Sequence, residues 1–223
     1  MEDKDKYLKL ARALALITIF YNIVEGLVSV WFGYEDGTLS LFGFGLDSFV
    51  EVISGIGIWH MVRRQRLTEE SEHDAFERDA LKVTGGAFYL LAAGLAVTSV
   101  IDIYSGHKPE TTFWGIVVGA VSIASMWLLI HYKVVAGKAL GSDAILADAA
   151  CTRTCLRLSA VLLVASIGYE LTGIGYIDSV GSLLIAWLSV REGREAFEKA
   201  KGGKCSCGGQ CKPKVEQSNI QFR

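Results

Sequence analysis

The sequence predicts an all-α fold, a polytopic membrane protein built as a six-transmembrane-helix bundle. Three observations lead there. The 223 residues are 51% hydrophobic, with 24 glycines against two prolines and a mean hydropathy of +0.36, too apolar for a soluble domain of this size. Charge is segregated, with Lys and Arg crowded into a few segments that alternate with nearly uncharged runs. Those runs reach roughly 20 residues or more, the length a helix needs to cross a hydrocarbon layer of about 30 Å. A net charge of −2 distributed in this way describes topology and gives no footprint for a nucleic-acid partner.

The opening Met-Glu-Asp-Lys-Asp-Lys lacks the layout of a cleavable signal peptide, so the first apolar run is expected to remain as a span over 13–33. It carries Asn22 and Glu25, which should face protein rather than lipid. Tyr34-Glu-Asp-Gly37 is read as a tight turn into a second span over 38–62, which contains Asp47 and Glu51. The polar stretch from Arg63 to Lys82 is expected as a loop or as extensions of the flanking helices. Span three covers 82–104, and a short loop around Gly106-His-Lys-Pro109 leads to span four over 112–132. Gly115, Gly119, Ser122 and Ser125 give span four a small-residue face suited to close helix approach. A linker holding Lys133 and Lys138 precedes span five, 143–169, and Thr172-Gly-Ile-Gly175 turns into span six, 176–193.

Six spans place both termini on one side. All but three of the 22 basic residues fall in the termini and in the second and fourth loops; the exceptions are Lys108, Arg153 and Arg157. Both termini are therefore expected in the cytoplasm. The domain division follows as a transmembrane domain over 1–197 and a flexible cytoplasmic tail over 198–223, rich in Gly and Lys.

Chemistry concentrates in span five, at Asp148-Ala-Ala-Cys151-Thr-Arg153-Thr-Cys155-Leu-Arg157. At roughly 100° per residue, Asp148, Cys151 and Cys155 fall within about 60° of one another, and Arg153 and Arg157 point the opposite way. Ionisable groups at membrane depth are costly and persist where they line a pathway or pair internally. Asp47 and Glu51 form a second i,i+4 pair at comparable depth, and two such pairs on neighbouring helices can complete a four-ligand tetrahedral shell. Asp47, Glu51, Cys151 and Cys155 are thus the candidate metal ligands. Two other readings stand beside this one: Cys151 and Cys155 as small buried apolar residues, and Asp47 and Glu51 as partners of Arg153 and Arg157 in an ionic lock. Asp148 is an accessory candidate, as are the thiols of the tail segment Cys205-Ser-Cys207-Gly-Gly-Gln-Cys211, spaced like ligands for a soft ion rather than like a disulfide framework. The four histidines are scattered near membrane edges or in loops and suggest no site.

These strings resemble the six-helix membrane domain of the cation diffusion facilitator, or cation efflux, family, which carries His/Asp-x-x-x-Asp pairs on its second and fifth membrane helices. The similar segments are Gly45-Leu-Asp47-Ser-Phe-Val-Glu51, then Leu146-Ala-Asp148-Ala-Ala-Cys151-Thr-Arg153-Thr-Cys155, and Tyr176-Ile-Asp178-Ser with Arg191-Glu-Gly in the sixth helix. The resemblance covers about residues 10–197 and implies a transporter rather than an enzyme, moving a divalent metal ion across the bilayer in exchange for protons, commonly as a homodimer. The chain looks like a short form lacking the C-terminal cytosolic domain. Cys151 and Cys155 stand where the family pair is His and Asp, which shifts the expected cargo toward softer ions, with cadmium, mercury and lead beside zinc.

The expectation is an exporter of a soft divalent heavy-metal cation in the cytoplasmic membrane, with protons as the exchanged ion and no bound cofactor. A membrane thiol-disulfide oxidoreductase would account for the cysteines but leaves Asp47 and Glu51 without a role, and a non-transporting metal-binding membrane protein is the other alternative.

Overall fold

The computed structural model describes residues 2–64, 73–140 and 143–201. Among these residues six helices follow one another: α1 (Glu2–Glu35), α2 (Leu39–Arg64), α3 (His73–Ser105), α4 (Phe113–Leu140), α5 (Asp143–Thr172) and α6 (Tyr176–Ala200). All regular structure among the described residues is helical, as a chain that must satisfy its backbone hydrogen bonds within each segment requires. The segments Lys9–Glu35, Lys82–Ser105, Phe113–Leu140 and Thr152–Thr172 are each long and apolar enough to cross a membrane. Large apolar side chains point outward along the bundle, among them Phe20, Trp31, Leu90, Val164 and Leu171, as expected where the surrounding solvent is lipid.

Helix ends differ from the expected spans in one consistent way. α4 continues to Leu140 and takes in both Lys133 and Lys138, so the linker expected around them is helix. The polar stretch after the second span is in part helix as well, since α2 runs through Arg64 and α3 starts at His73. The hydropathy window marks where the apolar run stops. The hydrogen-bonded ladder goes on through good helix formers such as Lys, Glu and Arg.

The helices pack chiefly in pairs, α1 with α2, α3 with α6 and α4 with α5, and α2 touches every other helix. Small residues make the approaches close. A Cβ on Gly33 would lie 2.5 Å from the backbone nitrogen of Phe42, and one on Gly45 would lie 2.7 Å from that of Val30, so α1 and α2 touch backbone to backbone. The small-residue face of α4 meets α5 as expected, with Gly119 against Leu163 and the hydroxyls of Ser122 and Ser159 hydrogen-bonded at 2.8 Å. One apolar cluster, including Leu41, Phe44, Leu95, Leu158, Leu162 and Ile185, joins α2, α3, α5 and α6. A second, Leu14, Met126, Leu129 and Cys155, joins α1, α4 and α5.

The α1–α2, α3–α4 and α5–α6 connections meet at one end of the bundle. Gly37, Gly106 and Gly173 turn there with φ of 66°, 67° and 65°, a left-handed conformation that glycine adopts without a Cβ penalty. Thr38 donates its hydroxyl to the carbonyl of Thr111 at 2.9 Å. Asp178, at the start of α6, accepts the amide of Leu39 at 2.8 Å and the hydroxyl of Ser40. This carboxylate caps α2 from another helix and ties α6 to it.

Candidate metal site

Glu51 of α2 and Cys155 of α5 are in direct contact, the Cys155 thiol donating a hydrogen bond to Glu51 Oε1. The second carboxylate oxygen accepts the side-chain amide of Asn22 from α1 at 2.9 Å. Three helices therefore converge on one carboxylate. Cys155 is a buried thiol, 8% exposed, and Asn22 is 1% exposed.

Asp47, one turn before Glu51 on α2, is 1% exposed. Its Oδ1 is buried without a hydrogen-bond partner. Its neighbours are acidic, with Glu192 of α6 and Glu25 of α1 close enough to act on it electrostatically, and the Ser189 hydroxyl beside it. Glu25 is in turn held by the Tyr21 hydroxyl at 2.8 Å and the Ser48 hydroxyl at 3.2 Å. A buried carboxylate oxygen with no donor costs free energy on the order of 1–3 kcal/mol or more, which a cation brought to that oxygen would offset.

Asn22 and Glu25 thus face protein, as their polarity requires. Arg153 and Arg157 are exposed on the far side of α5, where the helical periodicity places them. They are not the buried cation near the carboxylates. Among the described residues that cation is Lys133, 1% exposed, whose ammonium donates to the Thr152 hydroxyl at 2.9 Å and whose charge bears on both Glu51 and Cys155. Sequence reasoning missed it because the span was closed at the first charge after the apolar run.

The sequence-derived ligand set is thus divided. Glu51 and Cys155 touch, and Asp47 lies a turn away on the same helix as Glu51. Cys151 and Asp148 are on α5, but their side chains lie outside the described residues, as do Cys205, Cys207 and Cys211. Among the described residues, no group of three or more His, Cys, Asp and Glu side chains is gathered closely enough to hold a metal ion. A tetrahedral shell needs further donors beside the Glu51–Cys155 pair.

Long apolar helices around buried carboxylates, a thiol and an ammonium define a polytopic helical membrane protein with a polar centre. Residues 12–201 match the cation efflux transmembrane domain, and the chain belongs to the cation efflux family. It is also 28% identical over 175 residues to the uncharacterized transporter MJ0449 of Methanocaldococcus jannaschii, an alignment covering 77% of this chain and 62% of that protein. The chain therefore spans less than two thirds of that relative's length.

Proposed function

We propose that the protein is a membrane transporter exporting a soft divalent metal cation, zinc- or cadmium-like, from the cytosol in exchange for protons. Asp47, Glu51, Cys151 and Cys155 are its ion ligands. Membership of the cation efflux family supports the transport of a metal ion. The observation that carries the site is the contact between Cys155 and Glu51, which sets a thiol and a carboxylate from two helices around one position. The unpartnered Oδ1 of Asp47 supplies a second oxygen on the same helix.

The contact also supports the exchange. A thiol must lose its proton to ligate a metal, and the Cys155 proton lies in the hydrogen bond to Glu51. An arriving ion takes the place of that proton between sulfur and oxygen, and reprotonation from the other side returns the pair to its empty form. Thiolate in place of imidazole favours softer ions. The end bearing the α1–α2, α3–α4 and α5–α6 connections is the outer face in this reading, with both termini in the cytoplasm, and the tail thiols Cys205, Cys207 and Cys211 raise the local supply of ion there.

The test is flux in proteoliposomes with an internal metal indicator and a pH-sensitive dye, using cadmium, zinc, mercury, lead and manganese in turn. Cadmium and zinc are expected to move with a counterflow of protons. Metal flux with no proton signal at any pH would remove the exchange, and absence of flux for every ion would remove the transport reading.

A further inference from the structure

Arg153 and Arg157 are exposed on the side of α5 opposite Cys155, and the proposed metal site does not use them. Among the described residues neither guanidinium has a hydrogen bond or an ion pair. Both stand in the first two turns of Thr152–Thr172, a segment apolar enough to cross a membrane. A charged side chain that faces lipid is costly unless it reaches the interface and the anions there. In a helix the Cα–Cβ bonds tilt toward the N-terminus, so both side chains lean toward the Asp143 end of α5, where α4 finishes. The neighbouring helices mark this height as a membrane surface. α4 runs antiparallel to α5, with Ser122 beside Ser159 and Lys133 beside Thr152, which sets Trp127 level with Arg157 and Tyr132 level with Arg153. α6 is in register with α5 through Gly168 against Ile177 and Gly181 against Ala165. The same count continued along both helices brings Trp187 and Arg191 to that level. Trp127, Tyr132 and Trp187 are exposed, and the Arg191 guanidinium lies 5.2 Å from the centre of the Trp187 ring. Exposed Trp, Tyr and Arg at one height form the belt of a membrane–water interface.

We propose that Arg153 and Arg157 form a docking site for the phosphate headgroup of an anionic phospholipid, in the leaflet on the side of the chain termini. Like charges one helical turn apart repel. A phosphate between the two guanidiniums replaces that repulsion with charge-assisted hydrogen bonds, which the planar fork of arginine makes in pairs. The rest of the stripe selects a lipid over a free anion. Beyond Arg157 the same side of α5 continues as Val164, Ile167 and Leu171, all exposed, an apolar track for the acyl chains beneath the headgroup. α5 also carries Cys155, which touches Glu51, so a lipid held here braces the helix that brings the thiol to the site. That this leaflet is the cytoplasmic one rests on the orientation proposed above, whereas the site itself does not.

The experiment uses the full chain in an uncharged detergent without metal, so its outcome is independent of the transport reading. Phosphatidylglycerol and phosphatidylcholine with the same acyl chains are titrated in turn. Bound lipid is counted by native mass spectrometry for wild type, Arg153→Gln/Arg157→Gln, Arg153→Lys/Arg157→Lys and Arg194→Gln. Wild type is expected to prefer phosphatidylglycerol, and the double Gln variant to bind it about 30-fold more weakly, about fivefold for each guanidinium removed. The double Lys variant keeps the charge and is expected to keep most of the preference. Arg194→Gln, on α6 where Arg194 pairs with Glu198 at 3.0 Å, is expected to match wild type. Both α5 arginines are exposed, so replacing them removes no core packing. If the double Gln variant is not monodisperse, each single Gln variant is read instead, with a loss of about fivefold expected. Equal phosphatidylglycerol affinity in wild type and the Gln variants overturns the proposal, and so does an equal loss in Arg194→Gln. Displacement of the lipid by an equal concentration of inorganic phosphate would make this a site for a free anion. A change of oligomeric mass in the double Gln variant with lipid binding unaltered would make the face a contact between copies. Either result overturns the lipid assignment.

Discussion

The Cys155 thiol on α5 donates a hydrogen bond to the Glu51 carboxylate on α2, joining residues 104 positions apart in the chain. This bond spans the junction of the most connected helix of the bundle with the helix carrying the cysteine pair. Any rocking of α5 against α2 must change or break it. Alternating access in a helical transporter moves one group of helices against another around a central site, and in the proposed mechanism the contact would lie on such a boundary.

Removing either partner should therefore stop transport without unfolding the protein. Glu51→Gln keeps the shape and the hydrogen bond from Asn22, and Cys155→Ser keeps a donor toward Glu51, so both variants should extract and migrate as wild type does. Loss of a direct ligand should exceed the 10- to 100-fold effect typical of removing a group behind a ligand, so cadmium flux in proteoliposomes should drop by about 100-fold or more. Flux near the wild-type level in either variant would falsify the Glu51–Cys155 site.

In the proposed site Asn22 acts through Glu51. Its amide fixes Glu51 Oε2 at 2.9 Å, and Asn22→Ala frees that oxygen to rotate away. Apparent affinity for cadmium should weaken by about 10- to 100-fold, with the maximal rate much less affected. The thermal midpoint should fall as well, since a buried acceptor loses its donor at a cost on the order of 1–3 kcal/mol. A rate-versus-metal curve separates these effects. An unchanged curve with a lowered midpoint would leave Asn22 as a purely structural residue.

At the end of the bundle where the short connections meet, burial and then the carboxylates of Glu35, Glu110 and Glu170 push Asp36 up from the ordinary aspartate range. A carboxyl that holds its proton more tightly when folded stabilises the fold fully below its unfolded value, and the contribution is lost as pH rises through the folded one. Stability should therefore decline with rising pH across that window, and Asp36→Asn should flatten the decline. The check is thermal unfolding from pH 3.5 to 7. Parallel profiles for the two proteins would show that Asp36 does not produce the slope.

The helical bundle was legible because lipid imposes a one-dimensional rule, long uncharged runs separated by charge, and Glu51 and Cys155, which the structure brings into contact, were legible as candidates because each stands in an i,i+4 pair of acidic residues or thiols. Lys133 was not legible. The rule that finds a span also ends it at a lysine, and no pattern within α4 shows that α5 offers Thr152 and Cys155 across the seam. The role of Asn22 was half visible: its polarity requires a protein environment, but the choice of Glu51 as partner depends on how α1 crosses α2.

That crossing can be tested directly. A methyl on Gly33 meets backbone atoms of Phe42 at 2.5 Å and 2.7 Å, which cannot yield as a flexible side chain would. Gly33→Ala should destabilise the protein by about 1–3 kcal/mol. Gly94→Ala, with nothing within 4 Å of the added carbon, should leave the midpoint unchanged or raise it. Equal midpoints for the two variants in a detergent melt would mean that α1 and α2 do not pack backbone to backbone.

Selectivity between soft and hard ions is set, in the proposed site, by the pair Cys151 and Cys155. Polarizable thiolates favour cadmium, mercury and lead, whereas imidazole and carboxylate shift preference toward zinc and harder ions. In Cys151→His/Cys155→Asp the donor count and the i,i+4 spacing on α5 are kept, so the double variant should still transport. The carboxylate introduced at position 155 can accept but not donate when ionised, and it meets Glu51 without the thiol proton that now lies between them. The empty site should then need an added proton to restore the contact. The cadmium-to-zinc preference should fall by about tenfold, or ~1.4 kcal/mol of differential binding, measured as the ratio of competitive flux for the two metals in the same liposomes. A fully active double variant with the wild-type ratio would mean that neither cysteine touches the ion.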